Sequence, residues 1–409
     1  MGSSLREKLY IFANYIIVAM GFVLPFNHRA TTVLAAILLI LAIATKDYKK
    51  KFNLIVSNRA ILMFLIYILL FYAGILWSEN IRGGVRISER VLLFLVAPVV
   101  FTMAKKEYLK YALYALLSSL AITSVLIILI KYNLIPMSYT DNKAPFMHKN
   151  TIAFMLVFAT SYYLYKINFK NLILLPILFV DIYALLITKS RTGLVLFLFV
   201  VLVILIKRYG LSLYKLLSIT AATAILFIAI YTLNKPIQNR INQTIEVMQK
   251  LDLKKQIEDK KHPGRTALSC RFEFWNYAYE IGKTSPIIGI GTGDSIIELN
   301  KLIGEKESKK LFNDCLGNGS GQFNPHNVIM FMWMQFGILG VFVLFYMFYT
   351  QFKEALKSEY ILLILLVAIS FIHIQTDVVI FTTRFFILFY GYTFSIVYLL
   401  SKSSDKDKI

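Results

Sequence analysis

Twelve apolar runs recur along the 409-residue chain, and they constrain its fold more than any motif does. They lie near 9–26, 30–45, 59–77, 90–104, 110–131, 150–166, 171–188, 192–207, 214–233, 326–350, 359–376 and 384–401, each bounded by charge, Gly or Pro. A helix crossing a bilayer needs about 20 predominantly apolar residues, because no water is there to satisfy an open backbone. Hydrophobic residues make up 58% of the chain and charged ones 16%, a balance that points to a polytopic membrane protein. The expected fold is all-α, with about 12 transmembrane helices and one large helical loop. Residues 1–233 would hold the first nine helices, 234–325 the loop, and 326–409 the last three helices and a tail. Arg6 and Lys8 precede the first run, but no small-residue cleavage site follows it, so it reads as a span and not as a signal peptide.

Lysine sets the expected orientation, since short loops that stay in the cytoplasm are enriched in it. One set of connections carries Lys46, Lys49, Lys50, Lys51 and Arg59, then Lys105, Lys106 and Lys110, and later Lys166, Lys170, Lys207, Lys353 and Lys357. These read as inside, together with both termini. The other set comprises 78–89, 132–149, 189–191 and about 234–325, and reads as outside. Much of the net charge of +21 is then topogenic, which removes the reason to invoke nucleic acid.

Against that rule, Arg82, Arg86, Arg90, Arg191, Arg271 and Arg384 all fall on the outer side. Arg82, Arg86 and Arg90 recur every four residues and would share one helical face at the outer end of the fourth span. That stripe fits a phosphate; it also fits solvation or pairing with Glu79 and Glu89. Arg384 and Asp377 have each other as possible partners. Arg191 occupies the turn Lys189-Ser190-Arg191-Thr192-Gly193 at the start of a helix, where free backbone N–H groups already favour anions. Arginine adds a fixed charge and a bidentate fork, with snorkelling to headgroups as its structural alternative.

The loop from Pro236 to Lys261 has a helical period, with Ile237, Ile241, Ile245, Met248 and Leu251 on one face, so an amphipathic helix is expected. His262-Pro263-Gly264 ends it. A second helix is expected over Cys270–Gly282 with Ser269 as N-cap, which puts Arg271 in its first turn. Cys270 and Cys315 share this loop, where they would form a disulfide or remain two free thiols; neither has metal-finger spacing.

In Asn324-Pro325-His326-Asn327, Asn324 suits an N-cap and Pro325 a first helical position. His326 would then leave the first turn of the tenth span, placed to act as a general base or to serve as a hydrogen-bonded interfacial residue. Asp181 lies near the middle of the seventh span, a costly position that marks either a functional carboxylate or one paired to a neighbouring helix. Gly289-Ile290-Gly291-Thr292-Gly293 lacks the βαβ setting of a nucleotide fingerprint and reads as a sharp loop packed close to backbone.

Three stretches together carry a resemblance: Ser190-Arg191-Thr192-Gly193; Arg271 to Trp275 followed by Pro286 and Gly289-Ile290-Gly291; and Pro325-His326-Asn327 leading to Gly337-Ile338-Leu339-Gly340. In order and sidedness they resemble the O-antigen ligase and polymerase superfamily, best over the seventh to tenth spans. The resemblance implies a multi-pass enzyme of the bacterial inner membrane, both termini cytoplasmic, with its site on the periplasmic face. It would transfer a glycan from undecaprenyl pyrophosphate to a sugar hydroxyl of lipid A-core, with inversion and with neither metal nor cofactor. Arg191 and Arg271 would bind the pyrophosphate and stabilise the leaving group, and His326 would deprotonate or orient the acceptor hydroxyl. Arg86, Arg90 and Asn327 are the expected substrate contacts, and membrane lipids the surroundings. An O-antigen polymerase or a protein-glycosylating ligase would share these features. From another class, Asp181 suits a transporter of lipid-linked sugar.

Overall fold

The computed structural model of the chain describes residues 3–136, 143–144, 146–168, 171–210, 213–233, 267–306, 324–376 and 383–403, with the single positions 235, 238, 239, 241, 242 and 245. The regular structure among the described residues is helical apart from one small antiparallel ladder, in which Lys143 pairs with His148 and Ala144 with Met147. The first six helices are α1 (Ser3–Val23), α2 (His28–Ala44), α3 (Tyr48–Val56), α4 (Arg59–Ala73), α5 (Ile81–Val91) and α6 (Val96–Met103). Next come α7 (Lys106–Lys131), α8 (Lys149–Lys166), α9 (Leu174–Ile187), α10 (Arg191–Tyr209) and α11 (Leu213–Leu233). The remainder are α12 (Ala267–Thr284), α13 (Ser295–Lys306), α14 (Val328–Ser358), α15 (Ile361–Ile374) and α16 (Arg384–Ser403).

Each of the twelve apolar runs is helical over most of its length, but they are not twelve equivalent spans. Among the described residues, five helices are long and apolar enough to cross a membrane: α4 with its 3-10 extension to Trp77, α7, α10, α14 and α16. The pair α2 and α3, bent by 116°, brings the number to six, while α9, α15 and Thr220–Leu233 are shorter apolar helices. The fourth run departs most from expectation, because it opens with a 3-10 turn, Leu92–Leu95, before α6 begins. Pro98 is the physical reason: it has no N–H for the carbonyl of Phe94, and its ring crowds that carbonyl. Arg82, Arg86 and Arg90 therefore belong to α5, a separate amphipathic helix, and not to the end of a span.

α16 forms the centre, with 83% of its apolar window buried against 33% for α10 at the periphery. Several of its polar groups find partners in other helices, as an apolar surround favours. Tyr392 Oη donates to the Ile17 carbonyl at 2.8 Å, Ser395 Oγ to that of Ala97 at 2.9 Å, and Tyr390 Oη to Gln351 Oε1 at 2.6 Å.

The helix ends sort into two groups. At one end Asp47 pairs with Lys51 at 2.6 Å, Lys105 with Glu7, Lys402 with Glu354 at 3.7 Å, and Arg208 donates to the Ile167 carbonyl at 2.8 Å. At the other, the His28 ring meets Phe385 at 4.9 Å, Ser190 Oγ donates to Asn150 Oδ1 at 2.9 Å, and Thr192 Oγ1 to Thr376 Oγ1 at 3.3 Å. The lysine-bearing connections thus collect at the first end, and the starts of α2, α8, α10, α14 and α16 at the second.

Candidate functional site

Four of the expected site residues stand on or beside a short run of contacts at the second end. Ser190 caps α10 by accepting from the Gly193 N–H at 3.1 Å, which fixes Arg191 as the first, exposed residue of that helix. Its neighbour Thr192 bonds Thr376 just past α15, and Asn327 Nδ2 donates to the carbonyl of Gln375 at 3.4 Å. Asn327 in turn adjoins His326. The Pro325 carbonyl accepts from Trp275 Nε1 at 2.6 Å, and Trp275 stands one turn along α12 from Arg271. Arg191, the His326–Asn327 pair and the first half of α12 are thus held together by residues far apart in sequence.

Two local expectations need correction. Asn327, not Asn324, caps α14, accepting from Ile329 N at 2.8 Å and Met330 N at 3.2 Å. His326 therefore precedes the helix instead of leaving its first turn; it is half-buried and takes a left-handed φ of 46°. Asn324 Oδ1 accepts from the His326 N–H at 2.9 Å, so the residue expected as a helix cap closes a turn around the histidine. Likewise α12 begins at Ala267, which moves Arg271 beyond the first turn and puts Ser269 inside the helix. Of the three residues expected at helix starts, only Arg191 is there.

The glycine cluster does what its pattern suggested, and more. α14 breaks at Gly337, whose φ of 57° and ψ of −147° suit only a residue without Cβ. In an unbroken helix the N–H groups of Ile338 and Leu339 would bond the carbonyls of Met334 and Gln335. Here the loop between α12 and α13 inserts its own backbone. Ile338 N donates to Pro286 O at 2.8 Å and Leu339 N to Ile287 O at 3.2 Å, while Ile290 N and Gly291 N each donate at 3.0 Å to Met334 O and Gln335 O. All four freed groups are satisfied, as burial demands. A Cβ on Gly289 would stand 2.2 Å from the Gln335 carbonyl carbon, so this approach needs glycine.

Beyond the loop, Asp294 accepts from the N–H groups of Glu79 at 3.0 Å and Asn80 at 2.7 Å, and Asn80 Oδ1 caps α5 at Gly83 N, 3.0 Å. The loop therefore positions α5 and its arginines. Arg82 and Arg86 are exposed and Arg90 half-buried. Burial first, then the like charges of Arg384 and Arg86, hold the Arg90 guanidinium below the usual arginine range. Arg384 and Arg29 also act on His28, whose ring rests on Phe385. Among the described residues no salt bridge joins Arg82, Arg86, Arg90 or Arg384 to a carboxylate, Glu79 and Glu89 included. Sequence reasoning missed His28 and Arg29 and gave Arg384 only a structural part; the one signal was that the segment Pro25 to Arg29 carries no acid.

Cys270 is disulfide-bonded, and Cys315 lies outside the described residues. So do Asp377 and nearly all of the amphipathic segment expected over 236–261. Asp181 is buried in α9 beside Ser124 of α7, with no cation bonded to it among the described residues. No group of three His, Cys, Asp or Glu side chains suited to a metal ion occurs among the described residues.

Helices of this length and apolarity define an integral membrane protein. Residues 176–346, a stretch that contains Arg191, Arg271, His326 and the inserted loop, match the family model described as O-Antigen ligase. The match supports membership of the O-antigen ligase and polymerase superfamily, whose members are glycosyltransferase-like enzymes working with lipid-linked glycans. No curated protein matches the chain significantly.

Proposed function

We propose that this protein is an O-antigen ligase of the bacterial inner membrane, transferring glycan from undecaprenyl pyrophosphate to a sugar hydroxyl of lipid A-core. The carrying observation is the contact run from Thr192 through Thr376, Gln375 and Asn327 to Pro325 and Trp275, which lies largely within the family match. In this reading the lysine-rich end faces the cytoplasm, the arginine-rich end faces the periplasm, and 234–325 supplies a periplasmic loop within a twelve-helix plan.

In the reaction the bond between the sugar C1 and the pyrophosphate oxygen breaks as the acceptor hydroxyl attacks C1 from the opposite side, which inverts that centre. His326 takes the hydroxyl proton. Undecaprenyl pyrophosphate leaves with the bonding electrons, and Arg191 and Arg271 meet its growing negative charge; fixed cations do this without a metal. Asn327, Arg86 and Arg90 contact the substrates.

Reconstituting the purified protein with lipid-linked glycan and lipid A-core, in the presence of EDTA, tests the proposal. Glycan joined to lipid A-core is the expected product. Extended lipid-linked glycan with lipid A-core left untouched would make the protein a polymerase, and product that vanishes with EDTA would end the claim of metal independence. The His326→Ala protein is expected to bind donor and fail in transfer; lost donor binding would remove the base role.

A further inference from the structure

A pocket of about 680 Å³ opens where the start of α5 meets the inserted loop and α13. Its size falls within the roughly 300–1,000 Å³ of small-molecule sites. Trp77, Glu79, Asn80, Thr284, Glu298 and Lys301 line it, with isoleucines of the loop, α12 and α13 between them. One indole, one amide, one hydroxyl and several carboxylate oxygens around an apolar floor form an unusual combination on a membrane protein. It matches a pyranose, which offers an apolar C–H face to an aromatic ring and hydroxyl donors to carboxylate and amide oxygens.

Three further observations narrow the ligand. The Trp77 indole N–H is buried with no hydrogen-bond partner among the described residues, and the Trp77 side chain forms part of the pocket wall. Glu79, Asp294 and Glu298 outnumber Lys301 here, in a chain whose net charge is +21, so the pocket repels phosphate and uronate. Asp294 is committed to the backbone of Glu79 and Asn80, which leaves Glu79 and Glu298 as acceptors and holds the wall rigid before any ligand arrives. Position supplies the connection to chemistry: α12 carries Arg271 near its start and Thr284 at its end, about 20 Å apart at 1.5 Å per residue.

We propose that this pocket is a sugar subsite, binding a neutral pyranose of the donor glycan distant from the sugar that reacts. The proposal rests on the glycosyltransferase reading above. It gives the site a division of labour in which cations hold the pyrophosphate end and an acidic, aromatic pocket holds the glycan further along.

The test needs no turnover. Reducing oligosaccharide, released by mild acid from purified lipid-linked donor, is mixed with the full-length protein in detergent, and binding is followed by saturation-transfer NMR. The wild-type protein is expected to transfer saturation to pyranose ring protons, undiminished by inorganic pyrophosphate. Trp77→Leu and Glu298→Gln should each weaken binding by about tenfold, the loss of one good hydrogen bond or ring contact. Glu298 is half-buried on α13, so its variant should keep the thermal unfolding profile of the parent. Absence of saturation transfer, or equal binding by both variants, overturns the subsite. The two readings fail separately: oligosaccharide binding without transferase activity supports the subsite against the enzyme, whereas normal transfer with no binding effect in Glu298→Gln removes the subsite alone.

Discussion

α5 carries opposite chemistry at its two ends. Its N-terminal end borders a pocket with Glu79, Asp294 and Glu298, while its last turn presents Arg90 beside Arg86 and Arg384. Arg90 in the last turn suits the helix dipole, which favours cations at the finish, while Arg82 in the first turn stands against it. The difference lies in what each charge is committed to. Asp294 is spent on two backbone N–H groups, so the acidic end is partly neutralised from within. The arginine end gathers like charges from α5 and α16, and no carboxylate bonds them among the described residues. We propose that this gathered charge is held for an anionic ligand.

The largest expected effect comes from detaching the acidic end. Gly293 has a φ of 106°, and a Cβ there would stand 2.3 Å from the Gly84 nitrogen. Gly293→Val should cost on the order of 4 kcal/mol from backbone strain and overlap together, read as a fall in thermal stability in detergent. A parent-like unfolding profile would mean that α5 is not held by the loop. Next come Arg191→Ala and Arg271→Ala, each expected to slow transfer about 10²- to 10³-fold with the fold intact, by analogy with removal of one oxyanion donor. Purified Arg271→Ala with normal transfer would take that residue out of the mechanism.

Arg384→Gln gives a smaller effect with a diagnostic sign. Removing one of several like charges should leave thermal stability unchanged or slightly raised, while the KM for donor rises about tenfold for one lost charge-assisted contact. A drop in stability with unchanged KM would mark Arg384 as structural. Least of all, Lys301→Ala breaks a 3.8 Å contact between an exposed lysine and half-buried Glu298 and should change stability by less than about 1 kcal/mol. A greater loss by denaturant titration would show that the rim of the pocket carries more of the fold than its exposure suggests.

Some of the site was legible residue by residue. Ser190-Arg191-Thr192-Gly193 reads as a capped helix start because the cap is a local bond, Ser190 to the Gly193 N–H, and local bonds leave local patterns. The glycine cluster was legible as a close approach, since positive φ and missing Cβ are properties of single residues. What it approaches was not: the broken rungs of α14 lie more than forty residues away, and nothing in Gly337 alone says which backbone will fill its gap. Asn324-Pro325-His326-Asn327 offers two asparagines that can cap, and the choice fell to Asn327, whose amide also reaches Gln375. The arginine group around Arg90 was half legible, because the stripe on α5 is periodic while His28, Arg29 and Arg384 join it only through packing.

The sequence by itself determined that this protein is helical, that it belongs in a membrane, and that its lysines divide the helix ends into two groups. These follow from composition and period, which act within one segment at a time. Tertiary structure alone decided which helix is central, where α14 breaks, and which charged groups share a pocket. Each of those depends on contacts between segments far apart in sequence. Such contacts are set by shape and by the need to satisfy every buried polar group, and neither requirement is written in any one stretch of chain.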